Sequence, residues 1–69
     1  IVEKFATISP GAILAGDVYV GMRTIIGMGV LVNAQSRIGS DCRIGNGAII
    51  NVDVPDSTVV QSGAVWKGN

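Results

Sequence analysis

Aliphatic residues recur every six positions between Val20 and Pro55. Val20, Ile26, Val32, Ile38, Ile44 and Ile50 open six unbroken blocks. The second residue of each block is Gly or Asn: Gly21, Gly27, Asn33, Gly39, Gly45 and Asn51. The fifth is small or compact: Thr24, Val30, Ser36, Cys42, Ala48 and Val54. A helix needs apolar spacing near 3.6 and a half-buried strand a spacing of about two, so this period fits neither alone. It fits a chain that runs extended briefly, turns a corner and repeats, as solenoids do. The first and fifth residues of a block are then expected to face inward, four apart. The second is expected at the corner, because Gly takes positive φ freely and Asn is one of the few other residues that does.

The register extends upstream. Val2, Ile8 and Leu14 open three more blocks, with Ala6, Ala12 and Val18 in the inward fifth positions. Nine blocks over residues 2–55 predict three coils of three blocks, a triangular prism within a single domain spanning 1–69. The first side takes the blocks at Val2, Val20 and Ile38, the second those at Ile8, Ile26 and Ile44, the third those at Leu14, Val32 and Ile50. On the second side the expected outward sixth positions are Ile13, Leu31 and Ile49, with Met28 beside them and Gly11, Gly29 and Gly47 in the fourth positions. A contiguous apolar stripe is rarely left in water. An oligomer interface is therefore expected there, with Ile25 and Met22 of the neighbouring side as its rim. The third side carries Asp17, Gln35 and Asp53 and is expected to face solvent, with Asn33 and Asn51 placed to form an amide ladder. At Asp53-Val54-Pro55-Asp56 the repeat stops, so residues 56–69 are expected to be a turn, a capping strand at Val59–Val60 and a tail in which Trp66 packs as a lid. No comparable cap is visible at the N-terminal edge.

Sixty-nine residues give a thin core, so partners are expected. Five Lys and Arg balance five Asp and Glu, which argues against a nucleic-acid or anionic-membrane surface. Arg23 interrupts the longest apolar stretch, so no membrane span is expected. One cysteine, Cys42, excludes an internal disulfide and suits a cytoplasmic setting. Cys42 occupies an inward fifth position, where it is expected to pack as a small apolar residue. The first residue is Ile rather than Met, as in a processed protein or a piece of a longer one.

The blocks resemble the hexapeptide repeat of left-handed parallel β-helices, [LIV]-[GAN]-x-x-[STAVC]-x. The stretch FATISPGAILAGDVYVG, then IIGMGVLV and IGNGAIINVDVPDSTVV, resembles the C-terminal coils of bacterial sugar O- or N-acetyltransferases. The subgroup most resembled is that of sialic acid and amino-sugar acetyltransferases. The resemblance covers residues 5–60. It implies an all-β, left-handed parallel β-helix of about three coils with a C-terminal cap. It also implies a homotrimer of prisms packed side by side, acetyl-CoA as acyl donor in the groove between prisms, and a sugar or nucleotide-sugar acceptor. The positions it assigns to the acetyl-CoA arm are Gly16, Met28, Gly29, Asn46 and Gly47.

The resemblance stops at catalysis. The family takes a proton from the acceptor with a histidine, whose pKa lies near operating pH. This chain has no histidine, and Thr7 stands where the family's FxHIxPGA string has one. The family's VxGxPA tail is Val60-Gln61-Ser62-Gly63-Ala64-Val65 here, without the proline. No catalytic residue and no metal ligand set is assigned; a zinc site needs several Cys, His or carboxylate ligands at coordinated spacing. Two readings follow from the residues. One is the acetyl-CoA-binding part of a sugar acetyltransferase. The other is a non-catalytic trimeric scaffold or binding module derived from such an enzyme.

Overall fold

A computed structural model describes residues 1–68; Asn69, the last residue of the expected tail, lies outside the described residues. The described residues are all-β, with ten strands of two residues each: β1 Thr7–Ile8, β2 Ile13–Leu14, β3 Tyr19–Val20, β4 Ile25–Ile26, β5 Leu31–Val32, β6 Arg37–Ile38, β7 Arg43–Ile44, β8 Ile49–Ile50, β9 Val59–Val60 and β10 Val65–Trp66. All pairings are parallel and link each strand to one a full coil away. They form three faces. The first pairs β3 with β6, extended by bridges from Val2 to Val20 and from Ile38 to Val54. The second runs β1-β4-β7-β9 and the third β2-β5-β8-β10. The columns Val2–Val20–Ile38, Ile8–Ile26–Ile44 and Leu14–Val32–Ile50 therefore stand as expected, and the molecule is a β-solenoid of stacked triangular coils.

Each strand joins the sixth residue of one block to the first of the next. The inward fifth residue of one block and the first of the next are thus two apart on one strand, rather than four apart within a block. This moves the sixth positions. Ile13, Leu31 and Ile49 project from the third face, above the inward Leu14, Val32 and Ile50, and not from the second side assigned to them. The inward columns form the core: Val20, Ile26, Val30, Val32, Ile38, Cys42, Ala48 and Ile50 are fully buried. Cys42 packs there with its thiol 3.1 Å from the Pro55 carbonyl. The buried Thr24 hydroxyl donates to the Gly39 carbonyl at 2.6 Å and accepts from Cys42 N–H at 3.2 Å, which satisfies it.

The corners correct a second expectation. Positive φ occurs at the fourth residue of the block, not the second. Gly11, Gly29, Gly47 and Gly63 hold φ of 68 to 78°, and Phe5, Asp17, Arg23, Gln35, Asp41 and Ser57 hold 58 to 65°. Turn bonds from the fifth residue to the second close several corners, as Ala48 N–H does to Gly45 C=O (3.3 Å). The fourth residue is then the third of a four-residue turn, the place that demands positive φ in type II geometry. The second-position glycines answer a different need. A methyl group on Gly21 would lie 2.6 Å from the Gly39 carbonyl carbon, and one on Gly39 would lie 2.6 Å from the Asp56 nitrogen. These glycines let successive coils stack at strand spacing.

The repeat resumes at Val54, two residues early. Within the first coils a strand N–H reaches the carbonyl 17 residues on, as Gly27 does to Ile44; at the last coil it reaches 15 on, as Gly45 does to Val60. Residues 54–66 thus add a further rung, with Val60 and Trp66 continuing the second and third columns. At the shortened corner a carboxylate stands in for a backbone acceptor: Asp53 accepts from Arg37 N–H at 2.9 Å. One corner further on, Asp56 accepts from Ser40 N–H at 2.8 Å, as Ser40 Oγ and Asn46 Oδ1 accept from Met22 and Met28 in the coil before. Trp66 packs against the core and its indole N–H donates to the Asp53 carbonyl at 3.0 Å, closing the top.

Candidate functional site

Three edges separate the faces, and their chemistry differs. The edge between the first and second faces is polar. There Arg23 forms a two-pronged pair with Asp41, at 2.7 and 3.0 Å. That hydrogen bond raises the Arg23 pKa and holds the Asp41 carboxyl below its usual value. Both side chains are about half exposed, so the pair adds little stability. The edge between the third and first faces carries Asp17 and Gln35, and Asn33 Nδ2 donates to Asn51 Oδ1, the expected amide ladder. On the first face beyond it, the Arg37 guanidinium lies 4.0 Å over the Tyr19 ring. Desolvation, then the hydrogen bond that the Tyr19 hydroxyl donates to the Glu3 carboxylate, raises the Tyr19 pKa.

The edge between the second and third faces is bare. Its residues stack coil on coil as Pro10-Gly11, Met28-Gly29, Asn46-Gly47 and Ser62-Gly63. Each coil hands a bond to the one before: Gly29 N–H to Pro10 C=O at 3.3 Å, Gly47 to Met28 at 2.8 Å, Gly63 to Asn46 at 2.9 Å. Met28 N–H donates to Asn46 Oδ1 at 2.9 Å. The space a Cβ would take at Gly29 and Gly47 is open. Among the described residues, the carbonyls of Gly29 and Gly47 accept no backbone bond. This edge is a ridge with exposed acceptors, and only a neighbour could make it one wall of a groove. Two clefts among the described residues lie elsewhere, on the first face: about 360 Å³ lined by Arg37, Gly39, Asp53, Val54, Pro55 and Asp56, and about 280 Å³ around Ile1, Tyr19 and Arg37.

The structure brings Met28, Gly29, Asn46 and Gly47 together on that edge. Gly16 sits apart, on the edge between the third and first faces, where neither φ nor crowding requires glycine. The expected interface residues also separate. Ile13, Leu31 and Ile49 form one outward column on the third face, lengthened by Val65, which the period had not placed. Ile25 lies around the glycine edge on the second face, in the column Thr7–Ile25–Arg43–Val59. Met22 lies one edge further. Thr7 projects from the second face, exposed, with no titratable base in its column. No group of three or more metal-ligating side chains occurs among the described residues.

The bifunctional protein GlmU of Clostridioides difficile is 40% identical to this chain over 53 residues, which are 75% of the chain and 12% of GlmU. The stacked six-residue columns carry the class, and that match is consistent with it. The chain is a hexapeptide-repeat β-helix. It spans about an eighth of the length of the relative it matches. No family model matches the sequence and no solved structure matches it. Among the described residues, no helix is long and apolar enough to cross a membrane.

Proposed function

We propose that this chain is the acetyl-CoA-binding β-helix portion of a sugar O- or N-acetyltransferase of the sialic acid or amino-sugar type, working in the cytoplasm as a homotrimer. The observation that carries the reading is the bare edge, where Met28-Gly29 and Asn46-Gly47 lie in line with open space and two unbonded carbonyls. A pantetheine arm has amide N–H groups to give and a narrow profile, so it suits acceptors that no side chain screens. The apolar column Ile13–Leu31–Ile49–Val65 flanks this edge. Packing a neighbouring prism on that face buries the column and turns the ridge into a groove. The sugar or nucleotide-sugar acceptor would approach the same groove. Its proton goes to a group outside these 69 residues, because the chain has no histidine.

A second reading is favoured by that same absence and by the tail without its proline. It makes the chain a trimeric scaffold derived from such an enzyme. Calorimetric titration with acetyl-CoA, at a chain concentration where the oligomeric mass is known, separates the two. The first reading expects about one CoA per chain, lost in Gly47→Val. It also expects Leu31→Asp to give monomers that no longer bind. A folded trimer that takes up no acetyl-CoA leaves the scaffold.

A further inference from the structure

We propose that Asn46 is a self-modification site: its side-chain amide cyclises with the Gly47 nitrogen and is lost as ammonia when the corner between the second and third coils opens. Asn46-Gly47 is the one Asn-Gly pair in the sequence; Asn33 and Asn51 are followed by Ala34 and Val52. Glycine has no Cβ to screen its nitrogen, so the side-chain carbonyl carbon of the residue before it can approach. Both residues are exposed on the bare edge, and nothing lies within 4 Å of the place a Cβ would take at Gly47. The Gly47 nitrogen gives its proton to hydroxide and attacks Cγ of Asn46. The bond from Cγ to the side-chain nitrogen breaks, and that nitrogen takes a proton from water and leaves as ammonia. A cyclic imide remains. Water then opens either of its carbonyls, which yields aspartate or isoaspartate.

The stack decides when this happens. Two bonds tie the corner to the coil before it: Met28 N–H donates to Asn46 Oδ1 at 2.9 Å, and Gly47 N–H donates to Met28 C=O at 2.8 Å. They act in opposite directions. The first draws electron density from the amide and favours attack at Cγ. The second keeps the proton on the nucleophile and aims the nitrogen at the second coil. The second prevails, because a bonded N–H must be released before it can lose its proton, and a polarised amide that no nucleophile reaches does not react. The closed corner therefore suppresses the reaction. A local opening admits it, with no need for the whole chain to unfold.

The isoaspartyl product cannot rebuild the corner. Its main chain runs through Cβ and Cγ and is one atom longer. The former Asn46 carbonyl, which accepts from Gly63 N–H at 2.9 Å, becomes a carboxylate beside the main chain. The rung above thus loses its seat, and a negative charge appears next to Gly47 on the bare edge. Asn33 and Asn51 are internal controls, because their amides bond to each other and the residue after each carries a Cβ that hinders attack. The modification needs only this corner and is independent of the acetyltransferase reading.

The test incubates the whole chain at mildly alkaline pH, folded and in urea. Peptide mapping by mass reads the conversion at each Asn, and hydrogen exchange follows the Gly47 amide. In urea Asn46 should convert well ahead of Asn33 and Asn51. In the folded chain its conversion should slow by about tenfold or more, and by the same factor as exchange at Gly47, since both begin when one opening exposes one proton to hydroxide. Met28→Pro removes the donor to Asn46 Oδ1 and keeps the turn, because Pro10 already holds that turn position one coil below. Where its melting curve shows it folded, Met28→Pro should convert about fivefold faster than the wild type, the factor that one ordinary hydrogen bond represents. The proposal is overturned if Asn46 is stable in urea, or if the folded chain converts as fast as the denatured one. Folded conversion that outruns exchange at Gly47, or an unchanged rate in folded Met28→Pro, overturns it as well.

Discussion

Val54 and Val60 end two of the three inward columns, and Val2 and Ile8 begin them. The upper pair stays buried with no complete coil above it, while the lower pair is open to solvent. The residue types are alike, so hydrophobicity does not explain the difference. At the upper end the last coil is shortened by two residues and Trp66 folds onto the core, tethered to the Asp53 carbonyl. Thr58 Oγ1 donates to the Pro55 carbonyl at 2.8 Å and fixes the turn beneath. At the lower end the inward positions are filled by Ala6 and Ala12, too small to cover anything. A solenoid end closes when its final coil draws in and one large side chain is laid across it.

The contrast can be sharpened in one column. Ile44→Ala should cost about 3 kcal/mol, the usual value for a fully enclosed aliphatic, and Ile8→Ala about 1 kcal/mol, because Ile8 is already partly hydrated. Chemical denaturation of the two variants checks this, and equal losses would mean that the lower end is covered in solution. Gly39→Val attacks the closed end, where the added side chain meets the Asp56 backbone. A loss of about 2 kcal/mol is expected, together with faster proteolysis of residues 54–68. A neutral melting shift would show that the last rung stacks more loosely. Gln35→Gly touches neither end. It relieves a positive φ and should raise stability by about 0.5 kcal/mol once the flexibility of unfolded glycine is offset. A fall in stability would put the left-handed corner in doubt.

The period alone carried the coil count, the face pairings and the buried Cys42. It also placed Asn33 opposite Asn51. It misassigned the two functions of glycine, because a column of Gly looks the same whether φ or crowding demands it. The discriminating sign was present. Between Val20 and Val54 the second column tolerates Asn but admits nothing larger, whereas the fourth column admits Arg23, Gln35 and Asp41, as a turn residue with an outward side chain can. The sixth positions went to the wrong face because a block was read as one strand. The capping strand at Val59–Val60 stands as expected, but its continuation into Val65–Trp66 does not show in the pattern, because two residues are missing before Val54, which serves as a fifth residue and a first. Of the candidate site, four residues fell on one edge and Gly16 did not. A linear pattern carries no measure of which corner a residue turns.

The shortened corner has one more consequence. Two residues are gone between Ile50 and Val54, yet the Arg37 N–H left behind found a partner in the Asp53 carboxylate. Chain length at that corner is therefore a free parameter: the stack dictates where a strand must re-enter, and leaves open how many residues are spent getting there. A loop inserted at 51–53 would emerge beside the Arg37 cleft without breaking phase in any strand. In an evolving or engineered solenoid, that corner is the port at which new specificity can be plugged into an unchanged frame.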